Sequence, residues 1–354
     1  MSSGPIAAGQ SRSIGWVAAS ARRAALMGLP LAAATAGVTM LGEAGLARTM
    51  TVFFITLALV LGFQVFIGNS GVMSFGHIAF VGLAAYVSSL LTMAPADKLS
   101  LLPHLPAWLT QIQLDFWLAV PVTLAVVAVV ALLIGIPFSR LSGSAASIAT
   151  LGLLVITNVI LIGAQDFTNG ASSFFGVPAV TTIWHALGWV VVVLLIASLF
   201  RDSTTGLQLR ASREDEAAAA AVGVDVPRVR LAAWVVSAVC SGGAGIFLAH
   251  YLTAFSPRQF YLVETFNVIA ILIVGGSASV SGAVVGAVIM TVTFELLRRA
   301  EEALAVFGLT GVFVSLLILV MMPRRPEGLA GYTEAESWVR PILRCLWSRN
   351  ARDD

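Results

Sequence analysis

A chain of 354 residues that is 58% hydrophobic, only 11% charged and close to neutral at +2 is too apolar for a soluble globular domain. It predicts a polytopic membrane protein, and no basic tract is long enough to indicate nucleic-acid binding. The only lysine, Lys98, lies between Asp97 and Leu99, so the chain has no phosphate-binding G-x-x-x-x-G-K-[ST] loop, and any ATP would be hydrolysed by a partner.

Six apolar segments in the N-terminal part of the chain predict membrane-spanning helices. The first, at residues 24–42, has 19 residues, which exceeds the core of a typical signal peptide, so we favour an uncleaved span over a cleaved signal. Residues 49–96 contain no Asp, Glu, Lys or Arg and are long enough for two spans, with a break at Gly68-Asn69-Ser70-Gly71. Three single spans follow, at residues 116–139, 145–163 and 182–200.

A polar island at residues 202–230 comes next and carries nine of the 38 Asp, Glu, Lys and Arg residues. Ser212 and Asp215 have the S-x-x-D spacing of a capping box, and the acidic residues beside them suit the positive end of a helix dipole. Gly223 can supply a left-handed stop. We therefore predict one helix of about ten residues, from Ser212 to Val222, between two membrane spans.

Four further apolar segments follow the island. One covers residues 231–251, and the last covers 304–322. Between them, the uncharged run at 265–294 is split by the Gly/Ser-rich stretch Gly275–Gly282 into two spans, the second of which continues to about Arg299. The sequence therefore predicts an all-α polytopic membrane protein with about ten transmembrane helices.

The distribution of arginines orients these spans. With both termini in the cytoplasm, the basic turn at Arg140, the island and the C-terminal arginines all fall inside, as the positive-inside rule requires. We predict one membrane domain at 24–331, between cytoplasmic tails at 1–23 and 332–354.

Ionisable residues are absent from the centres of the predicted spans, which argues against a proton relay in this chain. Pumps and proton-coupled transporters usually need intramembrane carboxylates or histidines, and His77 is the main candidate here. Cys240 and Cys345 indicate neither a disulfide framework nor a metal site. No H-E-x-x-H motif or Ser/His/Asp set indicates an enzyme. The island is then the best candidate for an element that receives work from a partner; the alternative is a solvated loop.

The two Gly/Ser-rich breaks allow two interpretations. Interrupted apolar segments in both halves of a transporter indicate a substrate route, because irregular backbone at membrane depth is tolerated where it lines a cavity. Alternatively, the glycines permit close helix packing, as the Gly282 and Gly286 pair would. His77 is likewise either a route residue or a hydrogen-bonded packing residue.

Four segments resemble the permease subunits of ATP-binding-cassette (ABC) importers for branched-chain amino acids, the LivM type. They are the island from Thr205 to Leu231, Gly68-Asn69-Ser70-Gly71 with Ser74-Phe75-Gly76-His77, the set Gly275-Gly276, Ser279, Gly282 and Gly286, and Arg325-Pro326-Glu327-Gly328-Leu329. The resemblance covers about residues 45–331. Ala278 departs from the pattern, because the family often has glycine there.

The resemblance implies a non-enzymatic transport subunit in the bacterial cytoplasmic membrane, without a cofactor of its own. Its partners would be a second homologous permease, two cytoplasmic ATPases that hold ATP and Mg, an extracytoplasmic solute-binding protein and membrane lipid, but no nucleic acid. The cargo would be branched-chain or related amino acids. The alternatives are urea, short amides or aromatic acids, and a stand-alone secondary transporter is the rival mechanism.

Two sets of site residues follow. The predicted contact with an ATPase, through which ATP binding would drive alternating access, comprises Ser212, Arg213, Glu214, Asp215, Glu216, Ala217, Ala220 and Gly223. The predicted substrate route comprises Asn69, Ser70, Ser74, His77, Gly275, Gly276, Ser279 and Gly282. We predict no catalytic residue and no metal ligand.

Overall fold

The computed structural model describes residues 6–306, 308–325, 327–331 and 334. Ten apolar helices form the body of the protein: α1 (Ile6–Leu41), α2 (Ala44–Ser70), α3 (His77–Thr92), α6 (Phe116–Phe138), α7 (Gly143–Gly163), α9 (Ile183–Asp202), α12 (Val226–Leu252), α13 (Leu262–Gly275), α14 (Val280–Leu304) and α15 (Leu309–Arg324). Shorter helices are α4 (Pro95–Leu101), α5 (Ala107–Gln111), α8 (Gln165–Thr168), α10 (Thr204–Glu214), α11 (Glu216–Ala221) and a 3-10 helix at Pro257–Phe260.

The all-α polytopic architecture is confirmed. Within the described residues, eight helices are long and apolar enough to cross a membrane. The predicted total of ten spans is not confirmed, because α3 and the apolar part of α15 (Leu309–Met321) are shorter than a span. The first helix begins at Ile6, well before the predicted start at Ala24. Most of the predicted C-terminal tail, residues 332–333 and 335–354, lies outside the described residues, as does Pro326 of the closing motif.

The centre of the bundle is built on α2 and α12, the two helices whose apolar windows are most buried. They approach closely because small residues face each other: a Cβ on Gly62 would lie 2.8 Å from the backbone nitrogen of Ser241. Ser237 Oγ donates to the Gly62 carbonyl oxygen at 2.7 Å across the same contact. Small residues and interhelical hydrogen bonds are the usual means by which helices associate in a membrane, where lipid offers no hydrophobic drive.

Long-range contacts fall at two ends of the bundle. At the island end, which holds residues 203–225 and both helix breaks, Arg213 contacts Gly68 and Arg230 contacts Ser139. At the opposite end, Thr92 Oγ1 lies 2.9 Å from His250 Nε2. The contacts therefore separate the connections predicted to be cytoplasmic from those predicted to be external, as alternating spans require.

The opposite end is capped by the segments that connect the helices there. Two short strands, β1 (Phe174–Phe175) and β2 (Ala254–Phe255), pair antiparallel with Phe174 opposite Phe255. The ring of Tyr86 packs edge-on against both phenylalanines, with centroids 5.4 and 5.0 Å away. Lys98 is buried and donates to the carbonyl oxygens of Leu109, at 3.1 Å, and Ile112. This network fixes the loops of this end to the bundle.

Candidate functional site: the polar island and the helix breaks

The island folds as two helices, so the single helix predicted from Ser212 to Val222 is wrong. Asp215 separates α10 from α11 with extended backbone at φ −153° and ψ 108°, and its carboxylate accepts from Ala218 N at 2.9 Å. Asp215 is therefore itself the N-cap of α11 and does not occupy position N3 of a capping box that starts at Ser212. Ser212 lies in the last turn of α10, where its Oγ donates to the Leu209 carbonyl oxygen at 2.7 Å. The left-handed conformation predicted for Gly223 is confirmed, with φ +91°.

The two helices expose most of the residues predicted to contact an ATPase. Ser212 is buried and Arg213 is half-buried, whereas the remaining six are exposed: Glu214, Asp215, Glu216, Ala217, Ala220 and Gly223. Ala219 turns towards the bundle and is only 5% exposed. Small side chains with acidic neighbours thus form a shallow outer face on α11, which suits contact with a protein groove better than insertion into lipid.

The start of the island is anchored to the N-terminal helix by charged groups. Asp202 at the end of α9 accepts from Ser20 Oγ at 2.8 Å and pairs with the Arg23 guanidinium at 3.1 Å. Arg210 on α10 donates to the Arg201 carbonyl oxygen at 3.1 Å. Burial lowers the pKa of the Arg210 guanidinium. The island is therefore fixed at this point to α1 and α9.

Arg213 connects the island to the first helix break. Its Nη1 donates to the Gly68 carbonyl oxygen at 2.9 Å, in the last turn of α2. Its aliphatic stem lies over Gly71, where a Cβ would be 2.7 Å from Arg213 Cγ. Gly71 has φ +70° and ends α2, which glycine does without strain. A guanidinium at the C-terminal carbonyls of a helix is stabilised by the helix dipole, so α10 and α2 are held together.

Arg230, which is not among the predicted site residues, makes the second connection. It is 4% exposed, and its Nη1 donates to the carbonyl oxygens of Ser139 at 3.2 Å and Leu141 at 2.7 Å. Its Nη2 pairs with Glu216 on α11 at 3.2 Å. Arg230 therefore joins α11 to the turn between α6 and α7, whose residues are far away in the sequence.

Two predicted route residues in the first break hydrogen-bond within their own helix. Asn69 Nδ2 donates to the Val65 carbonyl oxygen at 2.8 Å, and Ser70 Oγ donates to that of Phe66 at 2.7 Å. Ser70 Oγ also accepts from Val72 N at 3.2 Å. Both side chains are buried. These polar groups satisfy the end of α2, where the helical hydrogen bonds stop.

The other two predicted route residues of the first break, Ser74 and His77, form a buried pair at the start of α3. Ser74 Oγ lies 2.6 Å from His77 Nδ1. The imidazole is surrounded by aromatic rings, with the Trp234 centroid at 4.5 Å and the Phe66 centroid at 5.1 Å. Its Nε2 is buried and has no hydrogen-bond partner within the described part of the chain. This environment is typical of a packing histidine.

The second break is a close crossing of α13 and α14. A Cβ on Gly275 would overlap the Gly282 carbonyl oxygen, and one on Gly286 would lie 2.7 Å from Gly275 Cα. Ser279 is the N-cap of α14 and accepts from Gly282 N at 3.0 Å. Gly275, Gly276, Ser279 and Gly282 are all buried. Their geometry is that of small-residue helix packing.

The closing motif of the sequence packs onto this crossing. A Cβ on Gly276 would lie 2.7 Å from the Glu327 carbonyl oxygen. Leu329 N donates to the Val274 carbonyl oxygen at 2.8 Å, so residues 327–331 satisfy the end of α13. The Glu334 carboxylate accepts from Val280 N at 3.1 Å, at the N-terminus of α14, where the helix dipole favours negative charge.

The two breaks contact each other directly. A Cβ on Gly68 would overlap the Ser277 carbonyl oxygen, which also accepts from Gln64 Nε2 at 3.3 Å. Arg213, Gly68 and Ser277 are therefore consecutive contacts, from the island through the first break to the second. The structure brings the two sets of predicted site residues into one continuous assembly.

Comparison with known proteins gives the family of the chain. Residues 45–322 match the family model of the branched-chain amino acid transport system permease component. The chain is similar to the high-affinity branched-chain amino acid permease LivM of Salmonella typhimurium, with 29% identity over 324 residues that cover 81% of this chain and 70% of the relative. LivM of Escherichia coli K12 is 27% identical over 322 residues, with the same two coverages.

A permease named LivH, and not LivM, also matches. The probable branched-chain amino acid transport permease LivH of Methanocaldococcus jannaschii is 29% identical over 239 residues, which cover 61% of this chain and 74% of the relative. No solved structure matches the chain.

Proposed function

The chain belongs to the permease components of branched-chain amino acid transport systems, and from that premise we propose that it is the transmembrane subunit of an ATP-driven importer. The proposed cargo is a branched-chain or related amino acid. The observation that carries the proposal is the island: an exposed helix face connected by two arginines to the ends of membrane helices.

The exposed face of α11 is the proposed contact with a partner ATPase. Ala217 and Ala220 are exposed and small, so a groove on the partner can approach the helix backbone. Glu214, with a side chain 79% exposed, supplies negative charge at the edge. ATP and Mg would be held by the ATPases, and we propose no cofactor for this chain.

The two arginines suggest how movement of the island would reach the membrane. Arg213 would transmit it to the end of α2, and Arg230 would transmit it to the turn between α6 and α7. When the ATPases close on ATP, α10 and α11 would shift with their groove, and these helices would tilt. The tilt would expose the cargo route alternately to the two sides of the membrane, and no bond in the cargo would change.

The remaining partners follow from the same model of the assembly. We propose a second permease subunit, because relatives of both the LivM and the LivH types resemble this chain. A second ATPase would serve that subunit. A solute-binding protein would deliver cargo at the opposite end of the bundle, and both termini would lie in the cytoplasm of a bacterium.

Copurification with the ATPases tests the proposal. We expect Ala217→Arg or Ala220→Arg to abolish ATPase copurification and transport, because a long charged side chain would block the approach of the partner. The matched control is Ala107→Arg, which places the same side chain on an exposed alanine at the opposite end and should change neither. Full transport by this chain alone in liposomes would show a secondary transporter and refute the proposal.

A further inference from the structure

A cavity of about 470 Å³ opens between α2, α13 and α14 at the opposite end of the bundle. None of the predicted route residues lines it. Its polar lining comes from three helices, with Arg48 on α2, Glu264 and Asn267 on α13, and Thr291 on α14. Its volume lies within the range of about 300–1,000 Å³ that is usual for small-molecule sites.

The charges in this cavity are of two kinds. Glu295 is paired with Arg298 and Arg299, each at 2.9 Å, and Arg298 also pairs with Glu302, so two negative and two positive charges neutralise one another. The Arg48 guanidinium and the Glu264 carboxylate, by contrast, form no ion pair with any described residue, and the Asn267 side chain is the hydrogen-bond partner of Glu264. Both residues lie near the first turns of helices that qualify as membrane spans, where a charged group is tolerated when it faces a water-filled cavity, and such groups commonly mark a solute pathway.

A second, apolar cavity adjoins the first. It has a volume of about 490 Å³ and lies between α1, α2 and α14, where Leu31, Met50, Val288 and Val292 line it. The two cavities share four lining residues, among them Phe53. A compartment lined by one positive and one negative group that form no ion pair therefore continues into a compartment that suits an aliphatic group.

We propose that the two cavities form an outer binding station for an aliphatic zwitterion on its way through the permease. The Glu264 carboxylate would receive the ammonium group and Arg48 the carboxylate, through charge-assisted hydrogen bonds. The aliphatic side chain would enter the apolar cavity. The inference rests on the proposed function, since it concerns the route of the proposed cargo.

The sequence showed no sign of this station. Glu264 precedes the predicted span at 265–294, whereas α13 begins at Leu262 and carries Glu264 in its first turn. Arg48 lies in α2, which begins at Ala44. Only the packing of α2 against α13, two helices that are distant in the sequence, brings these two residues to one cavity.

Transport by the complete importer in proteoliposomes, with saturating binding protein, tests the station. We expect Glu264→Gln and Arg48→Gln each to lower the rate of leucine uptake at least about tenfold, since each replaces a charge-assisted hydrogen bond to the cargo with a weaker neutral one. The matched controls Asp166→Asn and Arg258→Gln remove the same charges from exposed positions outside both cavities and should keep normal uptake.

Cysteine labelling provides an independent measurement that does not depend on the charge variants. In proteoliposomes of the same importer, a Thr291→Cys side chain should react with a water-soluble, membrane-impermeant maleimide, and cargo-loaded binding protein should slow the reaction. Reaction with a lipid-soluble maleimide alone would show that an acyl chain fills the cavities and would overturn the inference.

Measurements on the wild-type importer distinguish failure of the station from failure of the proposed function. If it carries leucine while both charge variants match their controls, the station is refuted and the proposed function stands. If it carries only uncharged solutes, the proposed cargo fails in the wild type itself, and the zwitterion station fails with it.

Discussion

Replacing Arg230 by methionine tests the connection between α11 and the membrane helices. Methionine keeps the aliphatic bulk of the side chain but removes the guanidinium. Two hydrogen bonds to backbone carbonyls are lost, those to Ser139 and Leu141, together with the ion pair to Glu216. The exposed face of α11, which we propose as the ATPase contact, is not altered.

The expected loss of folding free energy follows from how deeply each partner of Arg230 is buried. A hydrogen bond from a charged donor contributes about 1.5–3 kcal/mol, and the buried Ser139 carbonyl would be left unsatisfied. The Glu216 side chain is 46% exposed and can be rehydrated, so its share is at most about 1 kcal/mol. We expect the free energy of unfolding to fall by about 3–5 kcal/mol in total, most of it from the two lost hydrogen bonds to carbonyl groups.

The assay compares ATP hydrolysis with cargo uptake in the reconstituted importer. We expect the Arg230→Met assembly to retain its ATPases and to hydrolyse ATP, but to take up at least about tenfold less cargo per ATP, because the α6–α7 turn no longer follows α11. The melting temperature of the purified permease should also fall. Glu216→Gln, which leaves both carbonyl contacts in place, should have a much smaller effect on both measurements.

The matched control lies two residues earlier in the same helix. Arg228 has a side chain that is 85% exposed and pairs with Asp225 at the surface, so Arg228→Met should change stability by no more than about 0.5 kcal/mol. If Arg230→Met kept the wild-type ratio of cargo transported to ATP hydrolysed and had the wild-type melting temperature, the proposed mechanical role of Arg230 would be refuted.

Two further predictions concern the helix ends. Gly275→Ala should lower the melting temperature and the yield of folded permease, because the new methyl group overlaps the Gly282 carbonyl oxygen. The control Gly152→Ala places its methyl group in open space and should behave like the wild type. Equal melting temperatures of the two variants would contradict the close crossing of α13 and α14. Asp215→Ala should destabilise α11 by about 1 kcal/mol and speed its amide hydrogen exchange, whereas Ser212→Ala should leave the exchange of α11 unchanged. Faster exchange in Ser212→Ala than in Asp215→Ala would show instead that Ser212 is the N-cap.

The sequence predicted the membrane helices well because their signal is local. Long uncharged runs located most of the apolar helices, and glycines marked the break that ends α2 at Ser70. The capping of the island was harder, because both Ser212 and Asp215 are good N-cap residues and the S-x-x-D spacing does not decide between them. The Asp215 cap leaves Ser212 inside α10, so the island has two helices and a turn instead of one helix.

The connections between these elements could not be predicted, because they depend on residues far apart in the chain. Arg230 binds carbonyl groups of Ser139 and Leu141, which any residue type would offer at those positions. The same holds for Arg213, whose acceptor is the backbone of Gly68. The pattern of side chains therefore carries no record of these contacts, whereas it does record which segments are apolar.

The course of α2 brings the two proposals together. Its 27 residues extend for about 40 Å, with Gly68 held by Arg213 near one end and Arg48 at the outer cavity near the other. Glu264 lies instead on α13, whose far end is fixed by residues 327–331. A shift of the island would move α2 directly through Arg213, whereas it would reach α13 only through the contact of Gly68 with Ser277 and against the anchor at residues 327–331. The distance between Arg48 and Glu264 would then change with the position of the ATPases, and a zwitterion held between them would be released as the importer closes its outer side.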